Sequence, residues 1–203
     1  MRISQETKIS EQYYTLGTNL EYALEDHPEQ KVVMFGATGN SDMTTDLVVN
    51  LAMLNAQKGK RTLIIDSNFQ DSKLQKRYGT AGDKGWTDLL ANSVTPTAVI
   101  KENVIPNLSI IPIGQKAAEP LVLMSQSNGR EIISNLKAQY DMIFLNASPF
   151  FTTDEPTLLL QLVDAVALVV VAGETQQQEL LAMINAVRLS HTNILGLIEW
   201  VKG

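Results

Sequence analysis

Apolar residues fall along this chain in two alternating patterns, short unbroken runs and longer stretches spaced three and four apart. The unbroken runs, at residues 31–35, 62–65, 108–112, 142–145, 165–171 and 194–201, are of strand length and rich in Val, Ile and Leu. Continuous runs of this kind suit strands buried on both faces. Between them, helical spacing marks residues 9–24, 44–57, 131–140, 155–162 and 177–189. In the first of these, Ile9, Tyr13, Leu16, Leu20 and Leu24 share one face, and Ser10 stands where a cap belongs. Shorter helical pieces are expected within 67–78 and 85–91. Gly59 follows the 44–57 helix, at the place of a left-handed terminating residue. Strands alternating with helices predict an α/β fold, a doubly wound and mostly parallel sheet with helices on both faces. One domain is expected over residues 1–203, its N-terminal helix spanning about 9–26.

Composition narrows the function classes. The chain has 203 residues and a net charge of −6, with no basic cluster, which argues against nucleic-acid binding through a broad electrostatic footprint. Cysteine is absent, so disulfides, thiolate metal sites and catalytic thiols are excluded. The polar start MRISQETKISEQ has no apolar signal core, and no apolar run is long enough to span a bilayer. A soluble protein without direct membrane insertion is expected. The two histidines, His27 and His191, have no metal-ligand partner at a suggestive spacing.

In a doubly wound sheet, ligands bind outside the carboxyl ends of the strands. Three loops therefore matter most, those after Phe35, Ile65 and Leu145. The motifs around them occur in a recognisable order. They are ISEQYYTLGTNLEYAL, then KVVMF with a Gly-rich loop and VVNLAMLNAQKGKRTLIID, then GWTDLLA, VIPNLSIIPIG, QYDMIFLNASPF, and LVDAVALVVVAGET with ILGLIEWV. In that order they resemble the bacterial tyrosine kinases that act with capsule and exopolysaccharide chain-length proteins. Those kinases belong to the wider group of septum-positioning and plasmid-partition ATPases. The resemblance covers nearly the whole chain and implies a P-loop NTPase-like fold.

A working phosphate loop needs backbone N–H groups aimed at the phosphates, a lysine for the β/γ oxygens and a Ser/Thr hydroxyl for Mg²⁺. Here the loop runs Gly36-Ala37-Thr38-Gly39-Asn40-Ser41-Asp42-Met43-Thr44-Thr45, and no Lys or Arg lies between Val32 and Gln57. The family's lysine position falls at Thr44 or at Met43. Asp42 and Asp46 flank the helix start, where they would compete with phosphate for the same N–H groups. A self-capped helix is the expectation, with Gly36, Gly39, Ser41, Asp42, Met43, Thr44 and Thr45 as a vestigial phosphate loop.

The resemblance implies three carboxylates at the strand tips. Asp66 matches the first, while the second and third are Asn68 and Asn146. An asparagine cannot act as a base and is a poorer magnesium ligand. Asp66, Asn68 and Asn146 are thus degenerate catalytic positions. No cofactor or metal is expected; should Mg²⁺ bind, Thr45 and Asp66 are its ligands. The family's ring-forming motif in the N-terminal helix maps to Glu11, Tyr14 and Gly17, and both its arginines are lost, so a ring is not carried over. Tyr13 and Tyr14 are expected to pack that helix against the body.

The favoured expectation is a pseudokinase of polysaccharide export, cytoplasmic and peripheral to the membrane through a partner. That partner would be the cytoplasmic tail of a chain-length (co-polymerase) protein or an active paralogous kinase. One alternative is weak Mg·ATP or Mg·ADP binding through the loop amides, with a lysine such as Lys73 or one from a partner supplying charge. Another is a spatial organiser of the partition-ATPase kind.

Overall fold

The computed structural model describes residues 11–39, 41–71, 73–115, 119–126 and 128–201, without the side chains of Ser41 and Asp42. The expected Ser10 cap and Ile9 lie outside these residues. Six of the strands are the apolar runs read from the sequence: β1 Val32–Ala37, β2 Thr62–Asp66, β4 Leu108–Ile111, β5 Met142–Asn146, β6 Ala165–Val171 and β7 Asn193–Trp200. With β3 Lys101–Ile105 they form one sheet in the order β3-β4-β2-β5-β1-β6-β7. All pairings are parallel except β3 with β4.

The uninterrupted hydrophobicity of these runs has a direct cause, since both faces of the sheet are covered. Along β1, Val32 and Met34 enter one apolar cluster while Val33 and Phe35 enter the other. Ile64 and Phe144 join the second face, and Ile65 and Leu145 the first. The second face carries α1 Glu11–Glu25, α2 Ser41–Gln57 and α3 Lys73–Tyr78; the first carries α4 Trp86–Leu90, α7 Gly129–Lys137, α8 Glu155–Leu159 and α9 Gln177–Leu189. Asp164 fixes the start of β1 by accepting the N–H groups of Lys31 and Val32 at 2.8 and 2.9 Å, and it pairs with Lys137 at 2.7 Å.

Several boundaries differ from expectation. The helix expected over 44–57 begins at Ser41, because the polar residues read as loop form its first turn. It ends as predicted. Gly59 has φ +81°, and the Lys60 N–H reaches back to the Asn55 carbonyl at 3.1 Å. Three elements were not anticipated: the edge strand β3, the four-residue α5 Pro96–Val99, and α6 Pro120–Gln126. β3 is mostly exposed and polar, so it lacks the apolar run that marks a buried strand. Among the described residues β7 pairs only with β6, and its register shifts between Ile194 and Gly196. Of the paired tyrosines, Tyr13 packs against the second cluster, but Tyr14 is half exposed, contrary to expectation.

One contact pins the middle of the chain. The Trp86 and Thr87 N–H groups donate to the carbonyls of Pro112 and Ile113 at 2.8 and 2.9 Å. A Cβ at Gly85 would lie 2.0 Å from the Pro112 oxygen. Gly85→Ala is expected to cost roughly 2–4 kcal/mol through backbone displacement. Urea unfolding of the purified variant checks this, with an unchanged midpoint as the contrary outcome.

Candidate functional site

The parallel register of β2 and β5 sets Asp66 opposite Asn146, so two strand tips meet directly. α2 crosses the same place from the β1 side, and there the three expected loops converge. The Thr45 hydroxyl donates to Asn146 Oδ1 at 3.1 Å, and Asn146 Nδ2 donates to Asp66 Oδ1 at 3.0 Å. All three residues are buried. Thr45, Asp66 and Asn146, singled out from the sequence, therefore form one continuous hydrogen-bonded chain.

Asp66 also accepts the N–H of Asn68 at 3.3 Å, so it serves as a turn cap as well. Its Oδ2 is buried with no hydrogen-bond partner among the described residues. Burial pushes the Asp66 carboxyl up to about 7, with the N–H groups of Asn146 and Asn68 opposing and the nearby Glu155 and Asp71 carboxyls adding to the rise. Asn68 turns its Oδ1 onto the N–H groups of Gln70 and Asp71 at 3.1 and 3.0 Å, holding the loop after β2 in shape.

Met43, one of the two candidate lysine positions, is buried in the apolar cluster beneath α2. Thr44, the other, is also buried. The side chains of Ser41 and Asp42 lie outside the described set. Asp46 does not compete for the helix N–H groups as expected. It is half exposed and faces Arg77 of α3 at 3.5 Å. Gly36 lies within β1, where an added Cβ would meet the Phe150 ring at 2.7 Å, and the Phe150 N–H donates to the Ala37 carbonyl at 2.8 Å. Gly36 is thus required by the packing of Phe150. Gly39 follows with φ +81° and open space around it. Thr38 Oγ1 lies 3.4 Å from a Glu179 carboxylate oxygen, which also accepts the Gln176 N–H at 3.0 Å. That places a carboxylate from the first turn of α9 beside the loop.

Glu155 was missed by sequence reasoning. It opens α8 and is 1% exposed. It accepts the Ser148 N–H at 3.0 Å and the Phe69 N–H at 3.2 Å, and the Ser148 hydroxyl lies 2.7 Å away. Burial raises its carboxyl above the usual range, and these donors oppose the rise. No local pattern marks it, since one partner, Phe69, is remote in sequence and the other, Ser148, lies seven residues back across a loop.

The ring-motif positions lie elsewhere. Glu11 is exposed at the start of α1, Tyr14 is half exposed, and Gly17 is buried where α1 crosses α2, close to Leu51 and Leu54. Lys73 faces Asp71 at 3.8 Å. His27 is exposed beside Glu29, and His191 occupies a turn with φ +58°. Among the described residues no cluster of three or more His, Cys, Asp or Glu side chains could hold a metal, and no helix is long and apolar enough to cross a membrane.

A family model described as an AAA domain, AAA_31, matches residues 30–195. The chain belongs to that AAA domain family. The likeness to bacterial tyrosine kinases in the septum- and partition-ATPase group holds as well. Tyrosine-protein kinase YwqD of Bacillus subtilis is 25% identical over 93% of this chain and 79% of its own length. Putative tyrosine-protein kinase EpsB of Ralstonia nicotianae is also 25% identical, over 91% of this chain, and the match spans only 24% of EpsB. The kinase domain of the Escherichia coli tyrosine kinase ETK superposes with a TM-score of 0.85 at 21% identity, covering 94% of this chain and 75% of that one. The septum site-determining protein MinD of Pyrococcus horikoshii, complexed with Mg-ADP, gives 0.68 at 19% identity, covering 82% and 68%. The P-loop NTPase-like fold is thereby established.

The buried Asp66 gives this AAA domain a defined pH response. The folded chain holds the Asp66 proton up to about pH 7, whereas an unperturbed aspartate releases it near 3.8. Folding stability should therefore fall as pH rises through that window. Asp66→Asn is expected to make the fall shallower. Urea unfolding of both proteins across the window checks this, and identical slopes would count against a neutral Asp66.

Proposed function

We propose that this chain is a non-catalytic, partner-binding member of the capsule and exopolysaccharide kinase group. It docks on the cytoplasmic tail of a membrane chain-length protein, or on an active paralogous kinase, in place of turning over Mg·ATP. The observation that carries this reading is the Thr45–Asn146–Asp66 chain. A magnesium site needs oxygen ligands with free lone pairs. Here Asn146 Oδ1 is engaged by the Thr45 hydroxyl and one Asp66 oxygen by the Asn146 amide, so the two paired strand tips offer a neutral amide and a single carboxylate.

Charge supports the same conclusion. The transferred phosphoryl group is stabilised mainly by positioned positive charge. The loop and its helix supply no Lys or Arg, Met43 is in the core, and Glu179 stands beside Thr38. These residues do not fit Mg·ATP bound in the manner of a working kinase.

A docking surface fits the other half of the proposal. Between α1 and the edge strand β7 runs a groove of about 500 Å³, lined by Tyr13, Leu16, Leu47, Leu197, Trp200 and Val201 among others. Leu197 is 52% exposed and Val201 70%, apolar surface of the kind a partner segment covers.

One observation favours a second reading, weak nucleotide binding: the unpartnered Asp66 Oδ2 beside Thr45 could still meet a cation. Calorimetry of the purified chain with Mg·ATP and Mg·ADP up to millimolar concentration separates the two. The expected result is no heat and no rise in melting temperature. Micromolar binding, or Mg²⁺-dependent turnover in the presence of a partner tail, would overturn the proposal. Leu197→Asp is expected to weaken capture of the chain-length tail peptide at least tenfold while leaving the melting temperature of this exposed site nearly unchanged. Equal affinity would move the docking surface elsewhere.

A further inference from the structure

Hydrogen-bond accounting around Glu155 shows a proton that the ionised side chain would lack. The Ser148 hydroxyl oxygen lies 2.7 Å from Glu155 Oε2 and 2.9 Å from Asn68 Oδ1. The Asn68 amide cannot be reversed, because its Oδ1 also receives the N–H groups of Gln70 and Asp71. Asn68 Oδ1 is therefore an acceptor. An ionised Glu155 would be an acceptor too, and a serine hydroxyl has one hydrogen to give. One of the two short contacts would then set lone pair against lone pair.

A proton on Glu155 Oε2 removes the conflict. The Glu155 O–H donates to Ser148 Oγ, and the Ser148 O–H donates to Asn68 Oδ1. Oε1 still accepts the Ser148 N–H, and Oε2 retains a lone pair for the Phe69 N–H. We propose that Glu155 is protonated in the folded chain and that, through Ser148 and Asn68, it forms a proton-linked clasp between the loop after β2 and the loop after β5.

The surroundings agree. The titratable groups near Glu155 are acidic: Asp66 at the tip of β2, and Glu119, which shares with Glu155 the wall of a cavity of about 310 Å³. No ion pair reaches Glu155 among the described residues. Burial opposes ionisation. Because the folded state holds this proton more tightly than the unfolded chain, the clasp contributes fully at low pH and is lost as pH rises through the folded-state titration. The two loops are those that would present carboxylates to a nucleotide, so their relative position is tied to one proton whether or not a nucleotide binds.

The test is carbon-13 NMR of the glutamate side-chain carboxyls in the full chain, with Glu155 assigned by its absence in Glu155→Gln. The Glu155 signal should remain at its protonated position after the exposed glutamates have ionised near about 4.3. Titration together with the exposed glutamates would overturn the proposal. Should Glu155→Gln not fold, the Ser148→Ala variant makes the assignment through its displaced Glu155 resonance. The clasp has its own readout. Exchange of the Phe69 amide hydrogen, corrected for intrinsic pH dependence, should accelerate as Glu155 ionises in the parent chain and not in Glu155→Gln. An unchanged Phe69 protection factor across the Glu155 titration would remove the clasp.

Discussion

Asn146 donates to Asp66 and accepts from Thr45 at the same time, as a neutral amide can and an ionised carboxylate cannot. That bridge joins the tips of β2 and β5 to the first turns of α2. A carboxylate at 146 would face the Asp66 oxygen 3.0 Å away with no hydrogen between them unless one of the two were protonated. The neutral side chain is therefore the condition under which a buried Asp66 sits here without a positive partner. Around it the remaining groups fall into place: Asn68 caps its own loop, Ser148 links that loop to Glu155, and Glu155 gathers the N–H groups of Phe69 and Ser148.

Family membership and site chemistry are separate findings in this molecule. The AAA domain and the superposition on kinase domains rest on the sheet, its order and its helical layers. Those depend on apolar runs such as 165–171, which many sequences can supply. Chemistry depends on a few polar side chains at the strand tips, which the fold alone does not fix.

The same division governs what was legible in the sequence. β6 could be read directly because its residues Ala165 to Val169 are buried on both faces, which enforces a continuous apolar run. β3 could not, because an exposed edge strand such as Lys101–Ile105 is under no such pressure. The start of α2 was placed late because Ser41, Asp42 and Thr44 look like loop residues, and their position in a first helical turn is a matter of capping rather than periodicity. Asp66, Asn146 and Thr45 were found because motif order placed them. Their direct bonding follows from strand register, which spacing along the chain does not encode. Glu155 and Phe150 escaped notice for a related reason: each acts through a partner some eighty to more than a hundred residues away, Phe69 in one case and Gly36 in the other.

The register shift in β7 has a consequence for the molecule among its own copies. β7 is the open margin of the sheet, and a flat margin of that kind is a template on which another chain can extend the sheet without limit. The displaced step between Ile194 and Gly196 breaks the even spacing of its outward N–H and C=O groups. A second strand laid along it would lose register within a few residues. The exposed Leu197 and, just past the strand, Val201 thus lie on a margin whose backbone is poorly matched to an added strand, which guards that apolar surface against fibril growth.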